Sequence, residues 1–371
     1  MNFDFSDEQK LLQKTARDFL QEHSPLAVCR RVLESDDELY AEDLWSGAAE
    51  MGWQGAAIPE EFGGAGFGYL ELVLIAEEMG RALAPIPFGS SVYLATEAIL
   101  AAGGDEQKKR CLPELASGRW IGALALAERP GRPDPARIET RLEGGRLTGT
   151  KRAVPDAAAA NRAVVLAAAP EGPALALVDL DGEGVSREVL ASLDPSRPGA
   201  TLRFDAAPAE PLGPAGGGWE ILERVLRRAA VLQAFEQLGG AARALEITRD
   251  FTLGRYAFGR PIASFQALKH RLADVYVAVE LARSNCFYGA WALEQEAPEL
   301  GEAACSARVS ATDAFELATT EMIQMHGGVG YTWEYDCHLF YRRAKWLAAS
   351  LGGAADWRDR LVGELTAGGG A

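Results

Sequence analysis

The chain is poor in the residues that build metal centres and disulfide frameworks. Five cysteines (Cys29, Cys111, Cys286, Cys305, Cys337) and four histidines are scattered over 371 residues without a Cys-x-x-Cys pair. That spacing argues against a zinc or iron site and against a stapled secreted fold, and it fits reduced thiols in a cytoplasmic protein. Basic residues are in deficit: 37 Lys and Arg face 53 Asp and Glu, a formal net charge of −16. No basic cluster offsets this, so nucleic acid is not expected as a partner. An anionic ligand is not excluded, because a single local arginine can hold phosphate inside an acidic protein. No run approaches the ~18 uncharged apolar residues of a membrane span. The opening MNFDFSDEQ is acidic and polar, unlike a secretory leader.

What is present is enough apolar residue, 48% of the chain, to bury a large core in two or three domains. Ser6 followed by Gln9 reads as a capping box opening an amphipathic helix through Leu20. A second helix is expected over residues 41–51. The turn-rich AIPEEFGGAGFG (57–68) follows; its Gly64-x-Gly66-x-Gly68 neither follows a strand nor keeps dinucleotide spacing, so it reads as a loop. Helices are then expected to about Leu83, stopped by Pro85 and Pro87, over 91–102, and over 105–112, ended by Pro113. From Trp120 to about residue 212 the texture changes to short apolar or alternating runs between Gly, Asp and Pro, which predicts a small antiparallel β domain. From Trp219 the pattern is helical again, with helices over 264–293, 301–325 and 335–347 and a frayed tail, GELTAGGGA. The expected division is 1–119 helical, 120–215 β, and 216–371 helical.

Two stretches of the last segment carry more than a core helix needs. In FTLGRYAFGRPIASFQALKHRLADV (251–275), Phe265, Leu268, Leu272 and Val275 keep helical spacing, but Arg255, Phe258, Gly259 and Gln266 are surplus to it. In QMHGGVGYTWEYDCHLFYRR (324–343) the surplus is Gln324, His326 and the pair Gly327–Gly328. A guanidinium forks onto phosphate oxygens, an amide reads a polar edge, and paired glycines let a phosphate or ring approach the backbone. Together they point to half of a nucleotide site.

The pair, Arg-x-x-Phe-Gly then Phe-Gln, and later Gln-x-His-Gly-Gly-x-Gly-Tyr-Thr, resembles the C-terminal signatures of the acyl-CoA dehydrogenase family. Pro-Glu-Glu-Phe-Gly-Gly and Arg-Ala-Leu-Ala-Pro resemble its N-terminal domain, so the likeness covers nearly the whole chain. It implies a mostly α, α+β fold: an N-terminal helical domain, a middle antiparallel β domain and a C-terminal helix bundle. It also implies FAD, an acyl-CoA thioester substrate and an oligomer, a dimer of dimers, with electron-transfer flavoprotein as the usual acceptor. By the resemblance, Arg255, Phe258 and Gln266 would contact the diphosphate and adenosine half of FAD. Gln324, Gly327 and Gly328 would contact its adenine end, on a flavin shared across a subunit interface.

The family's reaction forms a double bond beside the thioester carbonyl: a carboxylate takes the α proton while the β hydrogen leaves as hydride to the flavin. In most members that base is a glutamate shortly after an Arg-Asp-Ala-Lys anchor. Here Arg342-Arg343-Ala344-Lys345 matches the anchor, and the slot falls on Leu351. The alternative slot of a minority of members falls near Ala229, and Arg224–Phe235 holds no acid. Ala127, Ala153 and Pro155 stand where the family places groups around the flavin ring. The catalytic residue is therefore left unassigned. Three readings stay open: a stand-alone dehydrogenase with an unlisted base among Glu128, Asp134, Glu223 and Asp356; the base-lacking partner in a heteromeric enzyme, as in bacterial relatives acting on steroid side-chain thioesters; or a binding or scaffold protein without redox turnover. The asymmetric loss favours the second.

Overall fold

In a computed structural model, residues 5–368 are described. Helix α1 (Asp7–His23) begins at the capping box: the Ser6 hydroxyl accepts from the Gln9 N–H at 3.2 Å, and the Gln9 side chain accepts from the Ser6 N–H at 2.9 Å. There follow α2 (Leu26–Glu34), α3 (Glu42–Glu50), α4 (Tyr69–Ala82), α5 (Glu97–Ala102) and α6 (Asp105–Ala116). The strands are β1 (Gly122–Ala125), β2 (Arg141–Glu143), β3 (Arg146–Val154), β4 (Arg162–Ala169), β5 (Gly172–Asp179), β6 (Val185–Val189) and β7 (Ala200–Leu212). The last segment holds α7 (Gly218–Gly254), the short strands β8 (Tyr256–Ala257) and β9 (Arg260–Pro261), then α8 (Gln266–Glu294), α9 (Leu300–His326), α10 (Cys337–Ser350) and α11 (Ala354–Gly368). Helical, β, helical is the order along the chain.

The fold contains two compact units, each assembled from separated segments. One comprises Met1–Arg31, Tyr69–Ala84 and Ala230–Ala371 and is a helix bundle. Phe235, Phe315, Phe340 and Leu347 are among its fully buried side chains. Helices α4 and α7 cross here backbone to backbone: a Cβ on Gly80 would lie 1.8 Å from the Glu236 carbonyl oxygen, and one on Gly239 1.8 Å from that of Glu77. Only glycine permits that approach.

The other unit, Val32–Gly68 with Pro85–Ala229, carries the seven-stranded sheet. Its order is β1-β4-β2-β3-β7-β5 with β6 on β7, and a β4–β5 pairing closes the path into a barrel. Most pairings are antiparallel, whereas β1 and β2 each run parallel to β4. β4 and β5 contribute Val164, Val165, Leu166, Leu175 and Val178 to the core.

Several local expectations change. Helix α2 was not among the expected helices, although Cys29, Val32 and Leu33 keep helical spacing along its buried side and Ser24-Pro25 precedes its start. The segment expected as an α-helix from Ser91 opens as a buried π-helical stretch, Gly89–Thr96, before α5. Pro113 does not end α6. It sits in the last turn, where the Ser117 N–H still reaches its carbonyl at 3.1 Å, and the helix runs on to Ala116. The tail expected to fray is helical to Gly368; residues 369–371 and the first four of the chain lie outside the described range. Among the described residues no helix is long and apolar enough to cross a membrane.

Candidate functional site

The helix expected over 264–293 begins at Gln266, and the stretch ahead of it is a hairpin. α7 stops at Gly254, and the Ile262 N–H donates to the Arg255 carbonyl at 2.8 Å, closing the foot of the β8–β9 hairpin. Its two-residue tip is Phe258-Gly259, with φ of +53° and +77°. Two positive φ values are what a tight hairpin of this hand demands. Glycine supplies one without cost; Phe258 supplies the other against its own preference. It is also 94% exposed, with an edge-on ring contact to Phe265. A phenyl group held in left-handed backbone and almost wholly in water gains little from the described residues.

Helix α8 starts at Gln266 with no side-chain cap from Phe265 and no acid in its first turn. Leu268 and Lys269 donate their N–H groups to the Phe265 carbonyl, so the N–H groups of Gln266 and Ala267 and the positive end of the dipole are what the helix offers an anion. Nearby, the Arg260 guanidinium lies over the Phe265 ring at 4.1 Å. α9 ends at His326, and Gly327 turns the chain with φ +63°. A Cβ on Gly327 or Gly328 would meet nothing within 4 Å, so the space over this pair is open.

The three segments share one end of the bundle. His326 stacks on Phe251 at 4.0 Å, joining the ends of α9 and α7, and Arg271 pairs with Glu321 at 3.4 Å, joining α8 to α9. His326 Nδ1 lies 2.7 Å from the Met322 carbonyl, and burial lowers its pKa, which makes it a neutral structural residue. Arg255, Phe258, Gln266, Gln324, Gly327 and Gly328 are all exposed. Among the described residues, the side chains of Arg255, Gln266 and Gln324 have no hydrogen-bond or ion-pair partner.

The acids weighed as bases are in the opposite condition. Glu128 takes the Lys151 ammonium at 2.7 Å and the N–H groups of Glu139 and Thr140 at 2.7 and 2.8 Å. Burial opposes its charge, but these donors outweigh it and hold its pKa at about 2. Asp134 accepts from the Ala136 N–H at 2.9 Å and pairs with Arg137. Glu223 pairs with Arg132 at 3.2 Å. Asp356 accepts from the Gly353 N–H at 2.9 Å, fixing the start of α11.

Of the two positions where the resemblance would put a base, Leu351 is tied into the bundle and Ala229 is buried on α7. The Leu351 carbonyl accepts from Trp357 Nε1 at 3.1 Å, and the preceding Ser350 hydroxyl accepts from Gln233, one helical turn after Ala229 on α7. Deeper in, Arg308 donates to Gln237 and to the Leu347 carbonyl, tying α9 to α7 and α10. Burial draws its pKa down to about 9, opposed by the nearby Glu236, so it keeps its charge at neutral pH. Arg308 and the buried Glu236 escaped the sequence reading; a charge in the middle of an Ala-rich helical stripe was the available signal. In the β unit the side chains of Ala127, Ala153 and Pro155 offer no donor, and the neighbouring Asp156 is occupied by Arg197 at 2.6 and 2.8 Å and by Ser90.

Comparison with known proteins places this geometry. The family profile described as "Acyl-CoA dehydrogenase, N-terminal domain" matches residues 6–119, and "Acyl-CoA dehydrogenase, C-terminal domain" matches 216–363. The chain is 34% identical to acyl-CoA dehydrogenase IpdE2 of Mycobacterium tuberculosis, over 97% of this chain and 98% of that one. Among solved structures it is similar to a variant of the Tcur3481-Tcur3483 steroid ACAD, with TM-score 0.87, 34% identity and 98% and 99% of the two chains covered. The ChsE4-ChsE5 complex from Mycobacterium tuberculosis matches with TM-score 0.90 and 27% identity over 99% of each chain.

Proposed function

The chain belongs to the acyl-CoA dehydrogenase family, and from that premise we propose that it is the base-lacking subunit of a heteromeric enzyme, lending one side of a flavin site to a second subunit of the same family. Members of the family are FAD-dependent oxidoreductases. Bound flavin supplies the hydride acceptor. In this reading Arg255 and the uncapped start of α8 take the diphosphate, Phe258 packs on the adenosine side, and Gln266 and Gln324 read polar edges. Gly327 and Gly328 leave room for the adenine. The reading rests most on one observation: Arg255, Gln266 and Gln324 are unpaired at an exposed end of the bundle, beside a Phe258 that is 94% exposed. Two of the similar solved structures, the Tcur3481-Tcur3483 steroid ACAD and the ChsE4-ChsE5 complex, are named as pairs of chains.

The second support is the state of the acids. Deprotonating a thioester Cα–H needs an acceptor within hydrogen-bond reach. Leu351 and Ala229 cannot accept a proton, and Glu128, Asp134, Glu223 and Asp356 already serve as ion-pair partners or caps. The substrate class is then an acyl-CoA thioester, held with the partner's carboxylate as the base. We place the protein in the cytoplasm, where its five buried cysteines, none in a disulfide, are compatible with a reducing milieu, and we retain the three-part division 1–119, 120–215 and 216–371, a dimer-of-dimers assembly and electron-transfer flavoprotein as acceptor within the same reading.

The test is co-expression with a glutamate-bearing family member, followed by dye-coupled assay on acyl-CoA thioesters. The pair is expected to turn over, and this chain alone to fall short by at least the about 10²–10⁴-fold that a positioned base contributes. Comparable turnover by the chain alone would identify it as a stand-alone dehydrogenase. A pair without flavin or turnover would leave the scaffold reading.

A further inference from the structure

A cavity of about 350 Å³ opens in the helical unit between α1, the turn into α2, α4 and α7. None of the residues discussed as flavin contacts or bases lines it. Its wall carries the guanidinium groups of Arg17, Arg81 and Arg243, the carboxylate of Glu78, and an apolar side that includes Leu20 and Pro25. Arg17 is spent on Glu78, with contacts of 2.6 and 2.9 Å. Arg81 and Arg243 converge on a single carboxylate, Glu246, at 2.7 and 3.1 Å. Three cations thus face two anions, Glu78 and Glu246, leaving a local positive excess in a chain whose formal net charge is −16. Arg243 spends one recorded hydrogen bond of the five its guanidinium can donate.

Ser24 supplies an independent observation. It lines the cavity, is 3% exposed, and its hydroxyl has no hydrogen-bond partner among the described residues. A buried hydroxyl left unpaired is unfavourable, and although it is closed off in this rotamer, a turn about the Ser24 Cα–Cβ bond would let it donate to an anionic oxygen in the cavity. We propose that this cavity binds a small organic anion, a carboxylate or phosphate on a short apolar body, with Arg243 and Ser24 donating to its oxygens and Leu20 and Pro25 flanking the apolar part. Such a ligand would bridge α1 and α7 and give the helical unit a binding site separate from the flavin contacts, whether or not the chain works with a partner.

Calorimetric titration of the full chain with inorganic phosphate and, separately, with hexanoate tests this, each against chloride at matched ionic strength. At least one of the two is expected to bind below about 10 mM, and the stronger one identifies the head group. Arg243→Gln is expected to weaken it by about tenfold, the loss of a hydrogen bond to a charged group, and Ser24→Ala by several-fold. Thermal midpoints of the unligated variants check that both fold. Absence of binding by both anions, an effect reproduced by chloride, or equal affinity in both folded variants would overturn the proposal.

Discussion

The end of the helix bundle and the loop at the mouth of the β unit treat their polar groups in opposite ways. At the bundle's end Arg255, Gln266 and Gln324 find no partner among the described residues, and Phe258 stands in water on a left-handed backbone. In the β unit Glu128 is enclosed by Lys151 and two backbone N–H groups, and Asp156 by Arg197 and Ser90. A carboxylate already filled by the chain's own donors, as Glu128 is, is a poor proton acceptor for a substrate. The arginine and two amides at the bundle's end instead lie open to solvent, where another molecule can reach them.

The contrast can be broken most severely from the saturated side. The Lys151 and Glu128 side chains are 0% and 7% exposed, so Lys151→Met strands a buried carboxylate and is expected to cost about 3–5 kcal/mol at neutral pH in denaturant unfolding. The sign of its pH dependence follows from Glu128, whose folded pKa of about 2 lies below its ordinary 4.5. In the native protein the stabilisation is complete above 4.5 and fades as pH falls towards 2; in the variant the deficit should narrow as acid neutralises the carboxylate. A deficit independent of pH over that window would detach Glu128 from the pair.

From the unsaturated side, Arg255→Ala should leave the unfolding midpoint of the chain unchanged but weaken flavin retention in the complex by about tenfold or more, the worth of a charge-assisted contact. Unchanged flavin content would remove Arg255 from the site. Phe258→Ser sharpens the contrast further. Loss of an exposed side chain should shift the stability of the isolated chain by no more than about 0.5 kcal/mol, while association with the partner, followed by ultracentrifugation, weakens. The smallest expected effect is that of Leu351→Glu in the chain alone: no turnover, because Ala127, Ala153 and Pro155 still provide no side-chain donors.

Much of this was legible before any coordinates. The helical–β–helical order followed from periodicity changing near Trp120 and Trp219, and the family from motifs whose spacing is uncommon. That Leu351 and the run Arg224–Phe235 carry no acid was equally plain, since an absence of Asp and Glu is read directly from sequence. What could not be read was saturation. Glu128 is a carboxylate in either account, and only its position against Lys151 shows that its acceptors are filled. The hairpin at residues 255–264 was hidden because Phe265, Leu268 and Leu272 keep helical spacing while Gly259 and Pro261 break the pattern ahead of them. Pro113 misled in the other direction: a proline forfeits only its own N–H when it sits in a helix's last turn.

Flavin stoichiometry tests the central claim most directly. The chain purified alone should be close to colourless, and the complex with a glutamate-bearing relative should hold one FAD per pair by absorbance and protein assay. One FAD per chain in the isolated protein, bleached by an acyl-CoA thioester, would contradict it.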